Sequence, residues 1–297
     1  MPTSPTAGGV SRSPLPLNVL VQGQGYPVLC LHGHPGMGRS MSVFTDHLAT
    51  RYRTLAPDLR GYGKSRVSAP FEMETHLADL AALLEAQAVE QCLVLGWSLG
   101  GILALELALR LPHRVSGLIL VATSARPWGN HPRVSWQDNA WTGLASIVNR
   151  VYPGWQWNID TFGQRSLYRY LIQQHTPQAY TYLAQQAMPA FLQTSRYATQ
   201  ALTQAIQNGY NRLAELTAIQ VPCLVLAGEC DRHITAASSQ AMLNHLPQAE
   251  WHCYPNTAHL FPWEVPTTVL ADIDRWLHTH PQVVGQSRPY SPPMHSG

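Results

Sequence analysis

The sequence predicts an α/β fold built on a mostly parallel sheet, and two observations carry that expectation. Short apolar runs alternate with helical patterns along most of the 297 residues, as crossover connections require. The runs are near-continuously hydrophobic rather than alternating, which suits strands covered on both faces. The chain is long enough for a substantial single core, and 45% of it is hydrophobic.

Taken in order, residues 1–14 are rich in Pro, Ser, Thr and Gly and read as a disordered tail. Strands are expected at Asn18–Gln22, Pro27–Leu31, Tyr52–Ala56, Gln91–Leu95, Gly117–Ala122, Cys223–Ala227 and Trp251–Tyr254. Leu77, Leu80, Leu83 and Leu84 form one helical stripe, and Ile102, Leu105 and the 107–109 region a second. Val269, Leu270, Ile273, Trp276 and Leu277 form a third. Pro112 ends the second helix and Pro266 stands just ahead of the third. The alternation fails over residues 127–218, which hold five of the nine tryptophans and seven of the twelve tyrosines. A strand resumes beyond them, so this stretch reads as a helical lid inserted into a core of residues 15–126 and 219–280. Residues 281–297 read as a second disordered tail.

Composition excludes several chemistries. A formal net charge of +2 without any Lys/Arg run gives no footprint for nucleic acid. Lys64 is the only lysine, so Schiff-base and pyridoxal chemistry would rest on one loop residue. Five cysteines without CxxC or zinc spacing read as small apolar side chains in a reducing compartment. No segment has the ~18 apolar residues of a membrane helix, and the N-terminus lacks a signal-peptide core. The expectation is a cytoplasmic protein with no metal and no cofactor.

The chemistry-bearing pattern is Gly96-Trp97-Ser98-Leu99-Gly100, placed between the strand QCLVL and an apolar helix. A sharp strand-to-helix turn exposes a serine Oγ, and small neighbours are needed where the backbone is crowded. The helix N-terminus supplies amide donors and a favourable dipole for a developing oxyanion. His32-Gly33-His34-Pro35-Gly36 closes an earlier strand, where a loop amide would join that of Leu99 in an oxyanion hole. Asp231 ends the strand CLVLAGECD and His259 follows the strand WHCYPN. The order Ser98, Asp231, His259 fits a nucleophile elbow with its acid and base on later strand ends. Glu229 is the rival carboxylate, and His233 and His252 are the rival bases. His32 and His34 form an H-x-H pair open to a metal reading, although a loop role is favoured. Asp58, ahead of an RGYG turn, is expected to anchor loop amides. Trp97, Leu260 and Phe261 flank catalytic positions and are expected to line the pocket.

HGHPG, DLRGYGKS, GWSLGG, LPHRV, GECD and NTAH together resemble the α/β-hydrolase fold superfamily, over about residues 15–280 apart from the lid. The resemblance implies an eight-stranded, mostly parallel sheet. It implies Ser98 as nucleophile, Asp231 as acid, His259 as base, and the amides of His34 and Leu99 as oxyanion hole. Dehalogenases and epoxide hydrolases of that superfamily use an aspartate nucleophile, which Ser98 contradicts. His34 and Leu99 depart from the HGGPG and Trp of the proline-peptidase branch. GWSLGG and VATSARPW look nearest to pimeloyl-carrier-protein methyl esterases and enol-lactonases. The expected activity is a serine carboxylic-ester hydrolase acting on a small-molecule ester or acyl substrate. Lactone opening, C–C hydrolysis or perhydrolysis by the same triad is the alternative, and a non-catalytic ligand receptor the second. Six arginines against two aspartates and one glutamate over 127–218 would suit an acyl-carrier-type partner, or simply a solvated helical surface.

Overall fold

A computed structural model describes residues 13–127, 129–130 and 133–285. The seven strands are β1 (Val19–Gln22), β2 (Pro27–Leu31), β3 (Arg53–Pro57), β4 (Cys92–Trp97), β5 (Val115–Val121), β6 (Cys223–Gly228) and β7 (Ala249–Tyr254). They form one sheet in the order β1-β3-β2-β4-β5-β6-β7, in which only the β1–β3 pairing is antiparallel. Each expected strand is present within one or two residues of its expected position.

The sheet has seven strands among the described residues, where the resemblance implied eight. The short segment ahead of β1 is committed elsewhere. Leu15 N–H donates to Asp79 at 2.6 Å and the Ser13 carbonyl accepts from Arg60 at 2.7 Å, both groups of a buried ion pair. That arrangement ties down Ser13 at the end of the expected N-terminal tail; residues 1–12 lie outside the described residues.

The helices are α1 (Ser42–Leu48), α2 (Thr75–Ala86), α3 (Leu99–Arg110), α4 (Trp136–Val151), α5 (Gln156–Thr161), α6 (Pro177–Tyr182), α7 (Met188–Leu192), α8 (Arg196–Gln207), α9 (Ala236–Gln240), α10 (Phe261–Glu264) and α11 (Pro266–Thr279). Because strand side chains alternate, the sheet feeds two cores. Val28, Cys30, Leu93, Leu95, Ile119 and Val121 face α1 and α11. Leu29, Leu31, Val94, Leu118 and Leu120 face α2 and α3. Helices α4 to α8 fill the interval between β5 and β6. That interval divides: Ala145, Ile159, Tyr180 and Leu183 join the first core, whereas Ala198 and Ala201 of α8 join the second.

The C-terminal expectation needs correcting for residues 281–285. Pro281–Val284 forms a 3-10 turn with Val283 and Val284 buried. Ser116 Oγ donates to the Val283 carbonyl at 2.6 Å, and Val283 occupies the space a Cβ on Gly117 would need. Residues 286–297 lie outside the described residues. No helix among the described residues is long and apolar enough to cross a membrane.

Candidate active site

The site assembles at the carboxyl ends of β2, β4, β6 and β7, around the point where strand order reverses between β2 and β4. Ser98 stands between β4 and α3 with φ 55°, a left-handed backbone that non-glycine residues rarely adopt. Its amide donates to the Val121 carbonyl at 2.9 Å, and its carbonyl accepts from Thr123 Oγ1 at 2.8 Å. The turn is therefore tied to β5 on both sides. A Cβ on Gly100 would lie 2.0 Å from the Leu31 carbonyl oxygen, and one on Gly33 would lie 3.0 Å from Ser98 Cβ. The end of β2 thus passes directly against the serine turn. Leu99 and Gly100 open α3, so their N–H groups have no intrahelical acceptor.

Ser98 Oγ lies 3.1 Å from His259 Nε2, and His259 Nδ1 lies 2.7 Å from Asp231 Oδ2. The second Asp231 oxygen accepts the backbone N–H groups of His233 at 2.8 Å and Ile234 at 3.1 Å. An ionised carboxylate only accepts, so the imidazole carries its proton on Nδ1 and presents a bare Nε2 to the serine hydroxyl. Asp231 and His259 are buried, while Ser98 keeps partial exposure. Cys230 N–H donates to the Thr257 carbonyl at 2.8 Å and Glu229 N–H to that of Tyr254 at 3.0 Å. These bonds extend the β6–β7 ladder into the two loops and fix the Asp231–His259 distance. Such an arrangement can draw a proton from the serine and hold the resulting imidazolium.

Of the rivals, Glu229 and His252 fall elsewhere, and His233 stands beside the triad without replacing His259 in it. Glu229 is exposed and accepts the Asn256 N–H at 3.0 Å. His252, on β7, lies 3.6 Å from Asp272. The His233 ring stands beside that of His259, with centroids 5.2 Å apart. His32 is fully buried, with Nδ1 on the Gly33 carbonyl at 2.8 Å and Nε2 accepting the Leu59 N–H at 3.0 Å. Both its nitrogens are spent within the protein, and burial lowers its pKa to about 4. The His34 side chain meets Tyr62 at 2.9 Å, also with its pKa lowered by burial to about 4. Asp58 anchors loop backbone, accepting from Gly38 N–H at 2.8 Å and Lys64 N–H at 2.9 Å.

Of the expected pocket residues, Trp97 has its ring centroid 5.6 Å from that of His259. Leu260 is buried and its N–H donates to the Leu171 carbonyl at 2.9 Å. Phe261 requires a correction: it is fully buried and its ring stacks on Tyr254, so it belongs to the core beneath the loop. Sequence reasoning missed Trp263, whose ring packs on Trp97 at 4.9 Å and on Tyr182 of the insertion at 4.0 Å. It also missed Glu264, a buried carboxylate accepting from Ala258, Gln173 and Gln174 backbone N–H groups. Its pKa is raised by burial and, to a lesser degree, by the charge of Asp231. The available signal was a lone acid inside the apolar run His259–Pro266.

Residues 28–273 match the Alpha/beta hydrolase family. A pimeloyl-[acyl-carrier protein] methyl ester esterase of Aeromonas hydrophila is 43% identical over 102 residues, 34% of this chain and 39% of that protein's length. The chain thus spans about two-fifths of that relative. The same-named protein of Vibrio campbellii is 27% identical over 257 residues, covering 80% of this chain and 89% of that one. A thermophilic esterase from Thermogutta terrifontis superposes with a TM-score of 0.66 at 26% identity, over 90% of this chain and 94% of that one.

Proposed function

The chain belongs to the Alpha/beta hydrolase family, and on that premise we propose that it is a serine hydrolase that cleaves a carboxylic ester through an acyl-enzyme. The observation that carries the reading is the unbroken line of contacts from Ser98 Oγ through His259 to Asp231, at 3.1 and 2.7 Å.

In the reaction, His259 Nε2 takes the Ser98 hydroxyl proton as the oxygen attacks the ester carbonyl. The tetrahedral oxyanion is held by the Leu99 and His34 N–H groups, a contribution worth ~10²–10³ in rate per donor. Collapse breaks the carbonyl–alkoxy bond, and His259 returns its proton to the leaving alkoxide. Water then attacks the acyl-serine through the same base, releasing the acid and restoring the hydroxyl. Asp231 stays ionised throughout, holding the imidazole tautomer and stabilising the imidazolium.

The substrate reading is an acyl ester seated against Trp97, with the insertion acting as a lid over the cleft. Trp97 lies beside His259, with ring centroids 5.6 Å apart, and offers an apolar wall to the acyl chain. The name carried by the Aeromonas and Vibrio relatives and the arginine excess of residues 127–218 favour a methyl ester borne on an acidic carrier. The test is fluorophosphonate labelling of wild type and Ser98→Ala beside a p-nitrophenyl ester chain-length series. Labelling and turnover that vanish in the variant support the assignment. A wild type that neither labels nor hydrolyses any ester in the series sinks it and brings the receptor reading forward.

A further inference from the structure

We infer that Glu264 is a positioning residue for His259: its carboxylate fastens the 171–174 segment of the insertion to the loop that carries the imidazole. The inference rests on the reading of His259 as the general base.

Glu264 closes α10, five residues beyond His259. One oxygen accepts the Ala258 N–H at 2.9 Å, immediately before the histidine. The other accepts two N–H groups from the insertion, Gln173 at 3.0 Å and Gln174 at 2.6 Å. Two further bonds run alongside, Leu260 N–H to the Leu171 carbonyl at 2.9 Å and Gln174 Nε2 to the Asn256 carbonyl at 3.0 Å. The histidine loop is thus gripped by the insertion on both sides of the imidazole, and the carboxylate is the node where the grips meet.

Closing the 258–264 turn alone would need the Ala258 bond and nothing more. The two bonds on the second oxygen reach a segment 90 and 91 residues away, and they require a carboxylate buried close to the charge of Asp231. Burying a charge is costly unless it is well hydrogen-bonded, and here three N–H donors converge on two oxygens. Ring contacts continue the connection: Tyr182 of the insertion stacks on Trp263, Trp263 packs on Trp97, and Trp97 lies beside His259. Displacement of the insertion therefore reaches the imidazole by a polar route and an apolar one.

Glutamine cannot reproduce the node. It keeps one acceptor oxygen, and its NH₂ must face donors on the other side. The oxygen goes to the paired Gln173 and Gln174 N–H groups, so the NH₂ meets the Ala258 N–H and the histidine loop shifts. Misplacement of about 1 Å costs ~10² in rate.

The experiment measures Glu264→Gln and Glu264→Asp in the full chain, well below their melting temperatures. Its readouts are the fluorophosphonate labelling rate, kcat and KM on a p-nitrophenyl ester, and hydrogen exchange at amides 173, 174 and 258. Labelling and kcat of Glu264→Gln should fall ~10- to 100-fold, with KM within a few-fold and faster exchange at all three amides. If Glu264→Gln does not fold, Glu264→Asp carries the test by the same split between kcat and KM, since it keeps the charge on a stem one methylene shorter. A lowered melting temperature with labelling and kcat unchanged per folded molecule would show a purely structural role and overturn the inference. Ser98-dependent labelling in wild type with an unaffected variant sinks this inference alone. No Ser98-dependent labelling in wild type sinks the hydrolase reading and this inference with it.

Discussion

The sharpest test of the Asp231 assignment is Asp231→Asn, because the structure dictates which way the new amide must face. Asp231 Oδ1 accepts two backbone N–H groups and Oδ2 accepts the imidazole Nδ1–H. An asparagine NH₂ turned toward His233 and Ile234 would oppose two donors, at ~1–3 kcal/mol for each group left unsatisfied. The amide oxygen must therefore stay with those N–H groups, and the NH₂ must point at His259 Nδ1. The imidazole can meet a donor there only by moving its proton to Nε2, a small cost beside two lost bonds. Nε2–H then faces the Ser98 hydroxyl and cannot accept its proton. Turnover of a p-nitrophenyl ester should fall ~10³–10⁴-fold, equivalent to ~4–5.5 kcal/mol of barrier. The melting temperature should stay within a few degrees, because the shape and backbone bonds persist. Glu229→Gln is the control: its carboxylate serves the Asn256 N–H on the surface, so activity should remain within about threefold, the range of a surface change. An Asp231→Asn enzyme within tenfold of wild type, or a Glu229→Gln enzyme that loses activity, would refute the assignment.

Gly100→Ala should cost at least ~10² in kcat/KM and ~1–3 kcal/mol in urea unfolding, because its Cβ would sit 2.0 Å from the Leu31 carbonyl and force the serine turn off β2; wild-type kinetics would contradict the close approach. Against a chain ending at residue 285, truncation after residue 280 removes the buried Val283 and Val284 and should cost roughly 3 kcal/mol or more; equal melting temperatures would contradict the docking. Burial depresses the pKa of His32 to about 4 and of His76 to about 3. The unfolded chain takes protons on these rings below about pH 6.5 while the folded one does not, so stability present at pH 7 is lost as the pH falls from about 6.5 toward 4. By pH 5 the loss is about 2 kcal/mol for each ring, read as a fall in the urea midpoint that His32→Gln or His76→Gln should lessen.

The strands were legible because each is covered on both faces, so Val28–Leu31 and Leu93–Val94 appear as plain apolar runs whatever lies above them. The serine turn was legible because its requirements are local: a strand, small residues at 96 and 100, and a helix. What escaped depends on contacts remote in sequence. Residues 281–285 have the composition of a tail, yet Val283 packs where Gly117 has no side chain, 166 residues away. Phe261 was misplaced because adjacency to His259 in sequence does not say which way a loop side chain turns. Glu264 went unread because its partners are main-chain N–H groups of the insertion, which no residue type advertises. Strand number rested on resemblance, and the segment before β1 is bonded through Ser13 and Leu15 to the buried Arg60–Asp79 pair.

With fourteen histidines in the chain, residue type alone singles out none of them; the sheet brings one between Ser98 and Asp231. His32 follows β2 and faces inward, where both its nitrogens are taken by backbone. His47 pairs with Asp274 near the surface, far in sequence from any strand end that bears the serine. His259 follows β7, and β7 pairs with β6 in a register that sets Gly228 opposite Tyr254. Asp231 lies three residues beyond Gly228 and His259 five beyond Tyr254, and the Cys230–Thr257 bond holds the two departing loops together. Slipping that register would separate the carboxylate from the imidazole even with every residue unchanged. The relay to Ser98, two strands away across β5, is thus a property of strand order and register. Substitutions that disturb the β6–β7 pairing should therefore depress kcat before they unfold the chain.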